Sequence, residues 1–162
     1  YKRQVYGGFN TSLSWKGFDL SAIFAYSIGG YIYNRDITMI LHNGSLEGRD
    51  WSTEILKRWT PENRYTDVPA LSTTSNNWNS ASTRFLQNNS YMRLKNLTLS
   101  YDLPKQWISK LALSSVQVFV QGDNLFTIHR NQGLDPEQGI TGITYYRYPA
   151  MRTISGGINL SF

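Results

Sequence analysis

Residues 9–28 read FNTSLSWKGFDLSAIFAYSI, and this stretch decides the class of the fold. In its first half, bulky side chains alternate with small polar ones, a period of two that predicts a β-strand with two different faces. One face carries Phe9, Thr11, Leu13 and Trp15, and the other carries Asn10, Ser12 and Ser14. Lys16 and Gly17 then form a short polar break, which predicts a tight hairpin turn.

The second half of the stretch predicts the returning strand of that hairpin. Its bulky face carries Phe18, Leu20, Ala22, Phe24, Tyr26 and Ile28. Its other face carries Asp19, Ser21, Ala25 and Ser27, with Ile23 as the one large apolar exception. The run is about 11 residues long, which is the length that a tilted strand needs to cross a lipid bilayer.

Three later segments show the same alternation, so the sequence predicts five strands in all. We place these strands at about residues 5–15, 18–29, 91–103, 115–126 and 150–162. In the third segment the alternation reverses at Lys95, since Met92 and Leu94 precede it on even positions while Leu97 follows it on an odd one. The reversal predicts either the point where the strand leaves an apolar layer or a β-bulge.

Short and long connections alternate between these strands. The turn at residues 16–17 and the connection after residue 103 are short, whereas the loops at about 30–90 and 127–149 are long. Bacterial outer-membrane barrels have short periplasmic turns and long extracellular loops. The first, third and fifth strands would then run toward the periplasm. Within the first long loop we predict a short helix at about residues 50–59, with Asp50 or Ser52 as N-cap and Pro61 after its end.

Aromatic residues are 14% of the chain and concentrate near the strand ends, which predicts the aromatic girdles of a membrane barrel. The periplasmic girdle would contain Trp15, Phe18, Tyr101, Trp107 and Phe162. The outer girdle would contain Tyr31, Tyr33, Tyr91, Tyr145, Tyr146 and Tyr148. Soluble β-sandwiches also have alternating strands, so a soluble carbohydrate-binding β-sandwich module with its site in the loops is the alternative interpretation.

Backbone N–H and C=O groups must be paired in lipid, so a membrane sheet has to close on itself. The smallest bacterial barrels have about 8 strands. Five strands are therefore too few, and the membrane interpretation predicts that most of the barrel lies upstream of Tyr1. No signal peptide opens the sequence, as expected either of a cytosolic protein or of a piece of a longer one.

Composition and motifs argue against several other functions. Cysteine is absent, which excludes disulfides and thiolate metal sites, and no apolar run is long enough for a transmembrane helix. The net charge of +5 is spread along the chain, so we predict no nucleic-acid partner. His42 and His129 have no second ligand at metal spacing. Asp135 and Glu137 flank Pro136, and we favour a charged turn there over a Ca²⁺ site or an acid–base pair. We therefore predict no enzyme, no metal and no cofactor.

Four motifs, taken together, resemble signatures near the C-terminal end of the SusC/RagA family of TonB-linked outer-membrane proteins. The motifs are RWTPEN at 58–63 with PAL at 69–71, YMRLKNLTLSYDLP at 91–104, QGDNLF at 121–126 followed by GLDPE at 133–137, and YPAMRT at 148–153 leading to GINLSF at 157–162. They come in the family's order and cover nearly the whole chain.

The resemblance implies that this chain supplies the last five strands of a barrel of about 22 strands whose lumen is filled by an N-terminal plug. Such proteins reside in the outer membrane of Bacteroidetes-type Gram-negative bacteria and import glycans or, in some members, peptides. The implied partners are a SusD-like surface lipoprotein, TonB acting through the N-terminal part that this sequence lacks, outer-membrane lipid and the barrel-assembly machinery.

Three sets of site residues follow from this interpretation. The residues predicted to face the lumen are Asp19, Ser21, Asn96, Thr98, Gln117, Gln121 and Asp123. The loop aromatics that would contact substrate or the partner lipoprotein, or else pack the loop's own small core, are Trp51, Trp59, Tyr65 and Trp78. The resemblance also implies an assembly signal of alternating apolar residues in the last strand, at Ile154, Ile158, Leu160 and Phe162.

Overall fold

The computed structural model describes residues 4–42, 46, 48–72, 74, 80–108, 113–131, 135–137, 142–144 and 147–162. The chain divides into two units, each described by itself below. The first comprises Tyr1–Gly30, Asn89–Glu137 and Tyr148–Phe162, and the second comprises Tyr31–Asn88 and Gln138–Arg147. Among the described residues, no helix is both long enough and apolar enough to span a membrane.

The first unit is built around five strands: β1 (Gln4–Trp15), β2 (Phe18–Gly29), β5 (Tyr91–Asp102), β6 (Ser115–His129) and β8 (Thr153–Ser161). They form one sheet in the order β1-β2-β5-β6-β8, and each neighbouring pair is antiparallel. A short helix, α2 (Lys105–Ile108), lies between β5 and β6. The strands confirm the predicted all-β class.

Two strand ends differ from the sequence prediction. β6 continues to His129 because its last residues, Thr127 to His129, remain paired with β5. β8 begins only at Thr153 rather than near residue 150. The reason is local, since the N–H of Ala150 donates a hydrogen bond to Oδ2 of Asp135, 2.7 Å away, instead of joining a strand ladder.

The strand register places similar side chains in rows across the sheet. One row consists of four large apolar residues followed by a glycine: Leu13, Leu20, Leu99, Val120 and Gly156. The adjacent row is polar and runs Ser12, Ser21, Thr98, Gln121 and Ser155. The two rows point to opposite sides because side chains alternate along a strand. The sheet therefore has one apolar face and one polar face across all of its strands.

At the level of Lys95, β5 has one more residue than β2, and β6 has one more residue than β5. Ile23 of β2 pairs with Asn96 of β5, and Phe24 pairs with Leu94, so β5 has the extra residue Lys95. On β6, both Asn124 and Leu125 lie between the partners of these same two β5 residues. The bulge explains the reversal of alternation at Lys95 that the sequence shows, because it keeps Leu94 on the apolar face. Asn124 has φ 52°, a left-handed conformation that asparagine tolerates.

The apolar face is exposed along most of its area. Leu13 of β1, Leu99 of β5 and Ile154 of β8 have exposed fractions of 66%, 44% and 72%. At the end of the sheet near the β1–β2 turn, Trp15, Phe18 and Tyr101 are cross-strand neighbours, and the ring centroids of Phe18 and Tyr101 are 4.4 Å apart. Of the aromatics predicted for the outer girdle, Tyr145 and Tyr146 lie outside the described residues.

The second unit contains a small sheet that the sequence did not predict. Its strands are β3 (Tyr31–Asn34), β4 (Leu86–Asn88) and β7 (Ile143–Thr144), in the order β4-β3-β7. Helix α1 (Arg35–Ile40) follows β3 and begins where the side chain of Asn34 accepts a hydrogen bond from the N–H of Ile37. Ile32 and Phe85 are buried here, and the Phe85 ring contacts Tyr33 edge to face.

The predicted helix at residues 50–59 is shorter and tighter than expected. The structure has a 3-10 helix at Thr53–Lys57, with Ser52 as its N-cap. It ends early because the side-chain amide of Asn63 donates to the carbonyl of Lys57 at 2.9 Å, and the N–H of Trp59 donates to Val68. A second 3-10 turn at Thr83–Phe85 precedes β4.

Candidate functional site

The polar face carries all seven residues predicted to face the lumen. Four of them meet in one hydrogen-bonded group at the middle of the sheet. Asn96 donates to Oδ1 of Asp123 at 2.8 Å, Gln121 donates to Oδ2 of Asp123 at 3.2 Å, and Thr98 donates to Asn96 at 2.9 Å. Of the remaining three, Ser21 is the β2 partner of Thr98, whereas Asp19 and Gln117 lie farther along the same face, toward the β1–β2 turn.

At the bulge and beyond it, two basic residues of β5 meet two acidic residues of the connection after β6. We call these four residues the charge cluster: Arg93, Lys95, Asp135 and Glu137. The Arg93 guanidinium forms an ion pair with Asp135 and donates from Nη1 to Oε2 of Glu137 at 2.9 Å. Its Nε donates to the hydroxyl of Thr127, also at 2.9 Å. Lys95 Nζ lies 2.6 Å from Oε1 of Glu137. The cluster thus connects strand β5 to the turn that follows β6.

Asp135 is bound by backbone groups as well as by Arg93. Besides Arg93, its carboxylate accepts hydrogen bonds from the backbone N–H groups of Glu137, at 2.9 Å, and of Ala150, at 2.7 Å. Burial favours the neutral acid and would raise the pKa of Asp135, but the two backbone N–H groups and Arg93 outweigh it, so the pKa lies below the usual value of 3.8. Asp135 therefore carries its negative charge at neutral pH.

These contacts favour one interpretation of the acidic turn. Both carboxylates form ion pairs with cations, as expected of a charged turn. Within the described ranges, no group of three or more His, Asp or Glu side chains is arranged to hold a metal. The sequence did not predict that Arg93 and Lys95 bind these two carboxylates. The reversal of alternation at Lys95 is the one sequence signal in this part of β5.

A cavity of about 490 Å³ lies beside the charge cluster. Its lining includes Arg93, Asp135, Asn124 and Arg152. The pairing of β6 with β8 stops at Asp123, opposite Thr153, so among the described residues the last part of β6 has no strand partner on this side. Just beyond the last backbone pair, a side-chain hydrogen bond links the two segments: Asn124 Nδ2 donates to the carbonyl of Met151 at 3.2 Å.

The loop aromatics are not gathered into one site. Trp51 packs its ring edge to face against the buried His42, with centroids 5.2 Å apart. Trp59 is partly exposed and Tyr65 is fully exposed, whereas the small core beside them is formed by Ile55 and Val68. Trp78 lies outside the described residues. The side chains of the predicted assembly signal are exposed: Ile154, Ile158, Leu160 and Phe162.

No protein-family model matches the chain. Among curated proteins, it is 33% identical to TonB-dependent receptor P3 of Formosa agariphila and 28% identical to TonB-dependent receptor SusC of Bacteroides thetaiotaomicron, over 96% of this chain in both cases. It spans only 16% and 15% of those two proteins. Among solved structures, it is similar to the RagAB peptide importer in an open-open state, with a TM-score of 0.85 and 35% identity over 97% of this chain and 17% of that one.

Proposed function

This chain is homologous over nearly its whole length to TonB-dependent receptors, and on that premise we propose that it forms part of the wall of an outer-membrane nutrient importer. The homologues are outer-membrane proteins of Bacteroidetes, so the family resemblance and the localisation predicted from the sequence are confirmed. They are receptors and importers rather than enzymes. Because this chain spans about a sixth of their length, import is proposed for the full-length protein that carries it.

One observation carries the proposal. The sheet keeps large apolar side chains exposed on one face along all of its strands, while hydrogen-bonded polar groups and ion pairs occupy the other face. Water would penalise so large an apolar surface, whereas lipid would not. The outer edges of β1 and β8 have no strand partner in the described part of the chain, as expected where further barrel strands adjoin.

The soluble β-sandwich alternative requires the reverse arrangement. In a sandwich, the apolar face of each sheet is buried against a second sheet. Leu13, Leu99 and Ile154 are instead exposed, although they lie on three different strands of the apolar face. This exposure favours the membrane wall over the sandwich.

In the proposed importer, the polar face lines the path that substrate takes, and the charge cluster lies near the outer end of that path. The substrate is an oligosaccharide or a peptide, the latter being what the similar RagAB structure is named for. A SusD-like lipoprotein would cover the outer mouth. Trp59 and Tyr65 are exposed and are candidates for contact with it. TonB would act on the full-length protein through residues other than these.

Arginine substitutions on the two faces test the membrane wall. Leu99→Arg places a charge on the apolar face, and the matched control Ser100→Arg places it on the polar face of the same strand. Near the bilayer midplane, Leu99→Arg should destabilise the protein by about 2–4 kcal/mol, whereas Ser100→Arg should have little effect on its stability. We expect the full-length Leu99→Arg protein to be depleted from purified outer membranes. Equal abundance of the two variants would contradict a lipid-facing apolar side.

Import itself is tested by deleting the full-length gene and measuring growth on defined oligosaccharides and peptides. Loss of growth on one class, restored by the intact gene but not in a strain that lacks TonB, is the expected result. Co-purification of the full-length protein with a surface lipoprotein would support the proposed partner. Unchanged growth on every oligosaccharide and peptide tested would argue against a role in import.

A further inference from the structure

Residues 135–137, in the connection between β6 and β8, lie over the sheet. Arg93 lies on the polar face, since it pairs with Ala25 of β2 and Thr127 of β6, and its guanidinium holds both carboxylates of the turn. Asp135 and Glu137 are therefore drawn over the polar face. A loop that pointed into the surrounding solution would not place two of its side chains there.

The charge cluster has a buried half and an exposed half. The side chains of Arg93 and Asp135 are 4% and 9% exposed, and those of Lys95 and Glu137 are 33% and 37% exposed. Removing one partner of a buried ion pair leaves an uncompensated charge and is strongly destabilising. Arg93 and Asp135 thus serve as the anchor, whereas Lys95 and Glu137 form a rim that other molecules can approach.

We propose that residues 135–137 form a constriction of the transport path, folded inward over the polar face and held there by the charge cluster. The inference rests on the proposed function, because only in a closed barrel does the polar face enclose a path. The rim presents one positive and one negative side chain, Lys95 and Glu137, so it narrows the path without adding net charge to it. The constriction would therefore select substrates mainly by their width rather than by their charge.

The first experiment measures whether the turn is anchored. Hydrogen exchange of the full-length protein in detergent reports on the N–H groups of Glu137 and Ala150, which both donate to Asp135. In Asp135→Ala we expect exchange at both sites to rise by about tenfold, the factor that loss of a hydrogen bond to a charged group gives. Asp67→Ala, an exposed acidic residue of the second unit, is the control and should change neither. If Asp135→Ala does not assemble, Asp135→Asn is measured instead. Unchanged exchange in the variant would overturn the anchoring.

The second experiment measures whether the turn narrows the path. This chain has no cysteine, so Lys95→Cys and the control Tyr148→Cys can be labelled singly in a full-length protein made free of other cysteines. On whole cells, we expect the cysteine at position 95 to react with a small charged maleimide but much more slowly with a polymer-linked one, and the difference to shrink when Asp135→Asn is added. Tyr148 is fully exposed, so its cysteine should react with both reagents.

The outcomes separate the two proposals. If the cysteine at position 148 reacts with both reagents and the one at position 95 does so equally fast, the path is open there and the constriction is wrong. If neither position reacts with any reagent in intact cells, the proposed outer-membrane placement of this sheet is wrong, and the constriction is overturned with it.

Discussion

Gly157 lies beneath the ring of Phe119, its partner on β6. A Cβ atom at Gly157 would be 2.9 Å from Cζ of that ring, closer than carbon atoms approach without displacement. Phe119 is an apolar exception on the polar face, and the glycine explains how it is accommodated, because the ring covers the bare backbone of β8. Neither residue has an evident role alone, so this pairing was not predictable before the register was known.

We predict that Gly157→Ala lowers the stability of the full-length protein by about 1–2 kcal/mol, because the ring must move off the strand. The measurement is the thermal unfolding of the purified protein in detergent. In the Phe119→Leu background the same alanine should cost less, since the crowded ring atoms are gone. An equal cost in both backgrounds would contradict the contact.

The depressed pKa of Asp135 gives a pH dependence whose sign can be stated. A carboxyl whose pKa is lower in the folded than in the unfolded protein contributes stability that is present above the unfolded value, about 3.8, and lost as pH falls through the folded value. The stability difference between the wild type and Asp135→Asn should therefore be constant from neutral pH to about pH 5 and shrink below about pH 4. A difference that already disappears near pH 6 would contradict an ionised, anchored Asp135.

At the scale of the strands, alternation predicted more than any other signal. The sequence assigned Leu13, Leu20 and Leu99 to the correct face of the sheet. A shift of one residue in a strand would turn all its apolar side chains to the other face, so the alternation leaves little ambiguity. The small sheet of the second unit was missed because strands of two to four residues are too short to show a period. The charge cluster was missed because Arg93 and Asp135 are 42 residues apart, and a single charge does not reveal its distant partner.

The bulge at Lys95 permits a sharp prediction for strand β5. Deleting Lys95 would remove the extra residue and turn Met92 and Leu94 to the polar face, while Arg93 would turn to the apolar one. We expect the deletion variant of the full-length protein to be absent from the outer membrane. Lys95→Ala keeps the bulge and is the control, which should assemble at nearly the wild-type level. Normal assembly of the deletion variant would show that the register is not set here.

At the scale of the whole molecule, the proposed assembly signal can be tested in β8. The side chain of Phe162 is exposed and follows the apolar alternation of Ile158 and Leu160. We predict that Phe162→Ser lowers the amount of assembled full-length protein several-fold, whereas Ser161→Ala, on the adjacent position, has little effect. Heat-modifiable mobility on gels separates assembled from unassembled protein. Similar assembly of both variants would argue against a signal at Phe162.

The family and the outer-membrane location were predictable from a handful of ordered motifs, and the homologues agree with both. The contacts that individual side chains make were less predictable from the sequence. Asn96 and Asp123 were correctly grouped on one face by alternation, but their hydrogen bond depends on how β5 and β6 are paired. Trp51 was predicted either to contact substrate or a partner or to pack the loop's own small core, and its ring packs against His42.

The two outer borders of the sheet have a consequence for any attempt to study its five strands alone. Along β1 and β8, about every second residue directs its main-chain donor and acceptor to the outer side, where no other described strand takes them up. Such borders recruit one another between molecules, as in fibril growth. Isolated copies of these five strands are therefore expected to join border to border and aggregate, whereas neighbouring strands in a full-length barrel would cover both borders.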